Sequence, residues 1–330
     1  MKVMTPHYYK DFRCIAGACT DTCCAGWDVD VDKDSYKYYK TVKGAFGKRL
    51  KSVMVPSQDG ECTFTLKEGG RCPFLNDDNL CDLYIELGED KLCETCAEFP
   101  RFINDYGNIR EIGIAPSCKT AGELMFSYKD ELTFDTVEDN SLTLEPNDID
   151  AYTYMHLRQA RIVAFGIISD RDISIFERLM LYLDYAKRIQ KHLDAERDEL
   201  IAGVAKRFCG ADYREGLLDR LKSRDEKLHG KRLIKGLRHF FDDFKGMEVI
   251  NPDWNIHVAR VRRFLAGLAD DSGLAAVMKT YHAGSEAYAH EYEQLAMYYV
   301  YRYMLDAVND YDILLKAKNA VIGILAVDIM

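Results

Sequence analysis

The stretch Cys14-Ile15-Ala16-Gly17-Ala18-Cys19-Thr20-Asp21-Thr22-Cys23-Cys24-Ala25-Gly26-Trp27 sets four cysteines and two glycines into fourteen residues. It carries no apolar period of 3.6 or of 2, so neither an amphipathic helix nor a half-buried strand accounts for it. Outward from it the cysteines continue as Cys62, Cys72-x8-Cys81, Cys93-x2-Cys96 and Cys118. Ten of the eleven cysteines therefore fall in the first 118 residues, and Cys209 stands alone in the rest. A cysteine-dense part joined to a cysteine-poor part is a two-part architecture.

The first part is broken by glycines at 17, 26, 44, 47, 60, 69, 70, 88, 107 and 113 and by Pro56, Pro73, Pro100 and Pro116. Short helices are expected at Lys33–Val42, capped by Asp34-Ser35, and at Glu89–Glu98. Strands are expected at Cys62–Leu66 and Ile109–Ile114. From Phe134 to Asp150 the chain is acidic and polar, with Asp135, Glu138, Asp139, Asn140, Glu145, Asp148 and Asp150. Helical stripes follow: Tyr154, Leu157, Ile162, Phe165 and Ile168; then Phe176, Leu179, Met180, Leu183 and Ile189. Tyr288, Tyr292, Leu295, Tyr299 and Tyr303 form a third, and Leu314, Ala317, Val321 and Leu325 a fourth. Gly210, Gly230, Gly246 and Asn251-Pro252 mark breaks between them. The expected fold class is mainly α: an irregular cysteine-rich metal-binding N-terminal domain (1–133), an acidic linker (134–150) and an α-helical domain (151–330) with its own core.

With 330 residues, 48% apolar and 30% charged, the chain is long enough for a substantial core and is no low-complexity or collagen-like polymer. The formal charge of −10 argues against a general nucleic-acid or anionic-membrane binder. Residues 121–160 alone hold 2 Lys/Arg against 9 Asp/Glu, which locates most of the acidity in the linker. No run of 18 apolar residues occurs, and Met1–Tyr8 lacks the apolar region of a secretory signal, so the expectation is a cytoplasmic protein.

That compartment disfavours disulfides. A segment this broken needs more than burial to hold it, and bound metal meets the need. The x2 spacing of Cys93 and Cys96 lets two thiolates reach one ion from one turn. His7 is the only histidine before residue 150, so the donor set is thiolate: Cys14, Cys19, Cys23, Cys24, Cys72, Cys81, Cys93, Cys96 and Cys118. Such a set selects zinc or an iron–sulfur cluster, and spacing does not separate the two. Adjacent Cys23 and Cys24 cannot easily bind one ion together. Cys62 and Cys209 read as ordinary buried cysteines. No three cysteines spaced x3 and x2 occur, because position 26 is Gly, and no G-x-G-x-x-G after a strand, Walker loop or H-E-x-x-H is present.

Pro6-His7-Tyr8-Tyr9, Phe12-Arg13-Cys14, Cys19–Trp27, Arg71-Cys72-Pro73-Phe74-Leu75 and Leu80-Cys81-Asp82-Leu83-Tyr84 together resemble the flagellin lysine N-methylase family. Leu87-Gly88-Glu89, Leu92-Cys93-Glu94-Thr95-Cys96, Phe99-Pro100-Arg101 and Ser117-Cys118 continue the likeness in the same order. The helical half resembles it more loosely, through Tyr292-Glu293-Gln294-Leu295-Ala296-Met297-Tyr298-Tyr299-Val300-Tyr301-Arg302. There the family usually carries Glu-Asn in place of Glu293-Gln294, and after Cys118 it tends to continue with Pro-Glu in place of Lys119-Thr120. The resemblance implies methyl transfer from S-adenosylmethionine to lysines of flagellin, with an iron–sulfur cluster (4Fe-4S) on the cysteines. The alternative is a non-catalytic, zinc-chelating interaction protein.

Lysine is protonated near pH 7, so polar methyl transfer needs a site that disfavours the ammonium or takes its proton. The stripe Tyr288, Tyr292, Tyr299, Tyr303 reads as core, and Arg302 within it as the structural partner of a carboxylate or, in the alternative, as the holder of the cofactor's carboxylate. Arg101 is expected to support the cysteine site from outside, and Trp27 to shield it or fill the small core. Asp28, Asp30, Asp32 and Asp34 lack the Gly and Glu of a calcium loop and read as a solvated edge leading into a helix cap. His156, His192, His229, His239, His257, His282 and His290 are scattered. The sequence singles out no catalytic or cofactor-binding residue, and the missing cysteine triplet favours polar over radical transfer.

Overall fold

The computed structural model describes residues 1–58, 60–142, 148–225, 231–247, 249, 253–268, 273–274 and 286–330. Glu145, His229, Asn251-Pro252 and His282 lie outside them. The fold is mainly α, and its apolar residues gather in three clusters.

The smallest elements build the cysteine-rich region. A three-stranded sheet runs in the order β2 (Asp30–Val31), β4 (Cys62–Phe64), β3 (Met54–Pro56), all antiparallel. Around it stand α1 (Lys33–Thr41), α2 (Gly44–Val53), α3 (Asp82–Leu87) and α4 (Glu94–Glu98). Their shared core is Val29, Val31, Tyr39, Leu50, Phe64, Phe74, Leu75 and Leu83 with Cys62, Cys72 and Cys93. The cap of α1 is Asp32 rather than Asp34: its Oδ1 accepts from Ser35 N at 2.9 Å while Oδ2 accepts from Glu94 N at 3.0 Å. One carboxylate so caps α1 and ties it to the start of α4. Of the helix expected at 89–98 only α4 forms, because Glu89–Lys91 is a single 3-10 turn. Arg49 fastens α2 to α3, donating to Asp82 Oδ2 and to Pro73 O, each at 2.6 Å.

The larger region mixes strands from both sides of the cysteine-rich one. Its sheet runs β5 (Arg101–Tyr106), β6 (Ile109–Ile114), β1 (Lys2–Pro6), β7 (Phe134–Glu138), with β1 parallel to β6 and antiparallel to β7. The first five residues of the stretch read as an acidic linker are thus an edge strand. Phe102 on β5 pairs with Gly113 on β6, and a Cβ at Gly113 would lie 2.3 Å from the Phe102 ring.

Against the sheet packs α6 (Ala151–Ile168), and α5 (Lys119–Ser127), α7 (Ile175–Leu193), α8 (Ile201–Phe208) and α9 (Ala211–Asp225) complete the same core, α8 on α6 and α7, and α9 on α7. After α10 (Lys231–Asp243) and α11 (Asp253–Gly267) come α12 (Ala289–Tyr303), α13 (Ala307–Asp310) and α14 (Ile313–Ile329). The four helical stripes fall on α6, α7, α12 and α14, except that Tyr288 of the third is the N-cap before α12. One cluster unites Tyr8, Phe12, Phe102, Tyr106, Ile114 and Met125 with Leu157, Tyr182, Met297 and Ile324. The boundaries 1–133 and 151–330 are therefore not those of the cores: residues on both sides of 134–150 share one. Phe241, Phe244, Val258, Val261 and Leu265 form a third cluster that reaches Ala326 of α14. Asp150 caps α6, and Ser174 with Glu177 makes a capping box at the start of α7. Among the described residues no helix is long and apolar enough to cross a membrane.

Candidate functional site

Three of the nine candidate ligands sit at helix N-caps: Cys81 before α3, Cys93 before α4 and Cys118 before α5. Backbone N–H groups converge there and favour a thiolate. Burial pushes the Cys81 thiol up, while the amides of Tyr84 and Leu83 pull it back. Cys118 behaves alike, raised by burial and drawn down by the amides of Ala121 and Thr120. Cys72 is pushed up to about 11 by burial against the amides of Phe74 and Leu75.

The thiols sort into two groups by the charges they feel. Cys14, Cys19, Cys23 and Cys118 form an outer group: Cys14 and Cys118 act on Cys23, and Cys14 and Cys19 on Cys118. Cys24, Cys72, Cys81, Cys93 and Cys96 form an inner group, in which Cys24 acts on Cys72, Cys81 and Cys96. Cys23 and Cys24 join the two. The hydrogen bond between them raises Cys23 well above its usual value and brings Cys24 down to about 7. In the same way the Cys96–Cys93 hydrogen bond raises Cys96 and lowers Cys93. Among the described residues no three His, Cys, Asp or Glu side chains close at metal-holding distances. Cys62 is buried, as expected, whereas Cys209 is exposed after the end of α8, because that helix turns its other side to the core.

The residues around these groups have definite partners. Trp27 Nε1 donates to Cys23 O at 2.6 Å, and its ring lies 5.6 Å from that of Phe99. Arg101 donates to Tyr9 Oη at 3.1 Å and lies over the Phe12 ring. Lys119, standing where the family tends to have Pro, donates through Nζ to Thr20 Oγ1 at 2.5 Å and so holds α5 to the Cys19–Cys23 loop.

On α12 the Glu293-Gln294 pair is an anchor. Glu293 is buried and accepts from Arg178 Nη1 at 2.6 Å and from Arg171 Nη2 at 2.8 Å. Gln294 Nε2 donates to Asp130 O at 3.1 Å. Arg302 departs from its expected role. Its guanidinium lies 4.9 Å from the ring centres of Phe102 and Tyr303 and 5.8 Å from that of Tyr298, to whose hydroxyl it donates. Among the described residues it has no carboxylate partner, since three ring faces supply the compensating charge. Of the tyrosine stripe, Tyr292, Tyr299 and Tyr303 pack half-buried against the core, but Tyr288 is 58% exposed.

Sequence reasoning missed the Glu111–Arg161 pair. Both side chains are buried, Arg161 grips Glu111 with two nitrogens, and it also donates to Tyr301 O at 3.1 Å. Burial works against the guanidinium, but the Glu111 hydrogen bonds and charge hold its pKa above the usual value. No motif announces the pair, because its partners are fifty residues apart.

The FliB lysine N-methylase C-terminal domain model matches residues 161–329, from α6 to the end of α14. The flagellar biosynthetic protein FliU of Salmonella muenchen is 30% identical over 121 residues, covering 35% of this chain and 72% of that protein. Lysine-N-methylases of Salmonella choleraesuis and Salmonella typhimurium are each 29% identical over 121 residues, 35% of this chain but only 30% of theirs. No solved structure matches. The family model covers half of the chain and includes α12, which carries both Glu293 and Arg302: the chain belongs to the FliB lysine N-methylase family.

Proposed function

We propose that the protein is a lysine N-methyltransferase acting on flagellin with S-adenosylmethionine, and that its N-terminal cysteines hold an iron–sulfur cluster. The reading is supported above all by the gathering of nine thiols into an outer and an inner group, within a family named for lysine methylation. The donor set fits such a group in kind: every donor is sulfur, and at Cys81 and Cys118 helix N-terminal amides offset part of the burial that keeps the thiols protonated. Cys14, Cys19, Cys23 and Cys118 would hold one group, and Cys24, Cys72, Cys81, Cys93 and Cys96 supply donors for another. A cluster closed by four thiolates would brace the fold, as the glycine-broken chain requires.

In polar transfer the lysine Nζ lone pair forms a C–N bond as the methyl–sulfur bond of the sulfonium breaks, its electrons returning to sulfur. The ammonium must first pass its proton to a carboxylate beside it or to water. Arg302, boxed by Phe102, Tyr298 and Tyr303 and without a carboxylate of its own among the described residues, would be the residue to hold the carboxylate of the methionine moiety.

The test is transfer of labelled methyl to flagellin by anaerobically purified protein, with the metal content measured on the same sample. Methyl-lysine and S-adenosylhomocysteine from a brown, iron-containing protein are expected. A colourless zinc protein without transfer would establish the non-catalytic chelating alternative. Reductant-dependent 5′-deoxyadenosine that tracks methylation, and vanishes with Cys93→Ser or Cys96→Ser, would replace polar transfer by a radical one.

A further inference from the structure

A cavity of about 280 Å³ opens between α5, α12 and α14, lined by Phe126, Tyr288, Glu291, Tyr292, Leu295 and Val327. Tyr288 and Val327, at 58% and 53% exposure, form its mouth, while Tyr292, Leu295 and Glu291 are half-buried. Three walls are aromatic, two are aliphatic, and Glu291 is the single charge. Among the described residues Glu291 has no cationic partner; the salt bridge of this helix belongs to Glu293. The volume falls below the roughly 300–1,000 Å³ of pockets that enclose drug-sized ligands. It suits one long side chain rather than a nucleoside cofactor.

We propose that this cavity is the entry pocket for the lysine side chain of the substrate; the assignment rests on the methyltransferase reading and gives it a substrate site. The four methylenes lie along Leu295 and Val327. The ammonium meets the faces of Phe126, Tyr288 and Tyr292 and the carboxylate of Glu291, an arrangement that selects a cation on an apolar stem and gives its proton an acceptor, Glu291, before transfer. Norleucine, which keeps the four-carbon stem and lacks the amino group, would leave Glu291 without a partner at the pocket wall. The fold also connects the pocket to the outer thiols. Helix α5 begins at Cys118 and reaches Phe126 eight residues later, about 12 Å along its axis. His290 fixes that end of α5, its ring Nε2 lying 3.1 Å from Phe126 O.

The experiment compares a fluorescent nonapeptide carrying one central lysine with its norleucine counterpart, by polarisation, on the full-length protein, with methyl transfer measured on the same preparations. The lysine peptide should bind, and the norleucine peptide about tenfold more weakly or worse, as befits a lost charge-assisted contact. Glu291→Gln, which keeps the shape, should erase that preference and raise KM for the peptide more than it lowers kcat. Leu295→Trp, which fills the cavity, should abolish binding of both peptides, with an unchanged circular dichroism spectrum confirming the fold. Binding by both variants equal to that of the unaltered protein, or no lysine preference in the unaltered protein, overturns the pocket. If both variants still methylate normally, the pocket falls and the methyltransferase reading stands. Lysine-selective, Glu291-dependent binding without any methyl transfer keeps the pocket and removes that reading.

Discussion

The cysteine-rich region between Val29 and Cys96 and the large region around it solve opposite problems. The first has a short core, in which Cys62, Cys72 and Cys93 stand among eight other buried residues, and its helices α3 and α4 have 6 and 5 residues. Helices that short do not hold themselves. The second buries long faces of α6, α7, α12 and α14 and can bear the desolvation of Glu111, Arg161, Arg178 and Glu293. A region rich in apolar area uses buried ion pairs to fix which element meets which, whereas the region poor in it sets Cys62, Cys72 and Cys93 into its small core.

The comparison breaks first on removal of metal. Chelation or oxidation of the holoprotein should cost the region 29–96 most of its protection from amide exchange while α6 and α7 keep theirs. Equal loss in both regions would show that the small core does not depend on its thiols in the way proposed. Next in size is Glu111→Ala, which strands Arg161 in the core and should cost about 3–5 kcal/mol in urea titration. For the same reason residues 151–330 expressed alone should lack a native near-UV spectrum. A well-folded fragment would restore an independent helical domain. Gly113→Ala drives a methyl into the Phe102 ring and should cost about 1–3 kcal/mol without touching the cysteines.

The smallest effect sharpens the large region alone. Burial pushes Glu177 up, but hydrogen bonds from Lys222 and Ser174 outweigh it and leave its pKa lowered. The stability it contributes is therefore present above its unfolded pKa of about 4.3 and is lost as pH falls through the lower folded value. Glu177→Gln should cost about 1 kcal/mol at pH 7, and the difference in Tm from the unaltered protein should shrink to nothing as the pH drops well below 4.

The helices of the large region were legible because their stripes are long. Leu157 or Ile189 can be placed inward from spacing alone. The sheet was not legible as a sheet. Ile109–Ile114 reads as a strand, but its parallel partner is Lys2–Pro6, more than a hundred residues away, and no local pattern encodes that pairing. Phe134–Glu138 reads as linker because an edge strand with an exposed face needs no apolar alternation. At the candidate site, the thiol inventory was visible in the sequence and its division between Cys23 and Cys24 was not, since adjacent residues can face different partners. Glu291 and Phe126 gave no signal, because a pocket wall has no periodicity.

The hydroxyl of Tyr301 donates to Met4 O at 2.8 Å, across 297 positions of sequence. Such a bond forms only after nearly the whole chain exists. At the pace of synthesis in the cell, about 5–20 residues per second, β1 waits roughly 15–60 s for α12, and β6, whose Ile112 O is 189 positions from Tyr301, waits roughly 10–40 s. During that interval Phe102 and Ile114 face water on a half-built sheet. The nascent chain is thus exposed to aggregation for longer than its helical content suggests, and its yield should rise when a chaperone that covers apolar surface is supplied during synthesis.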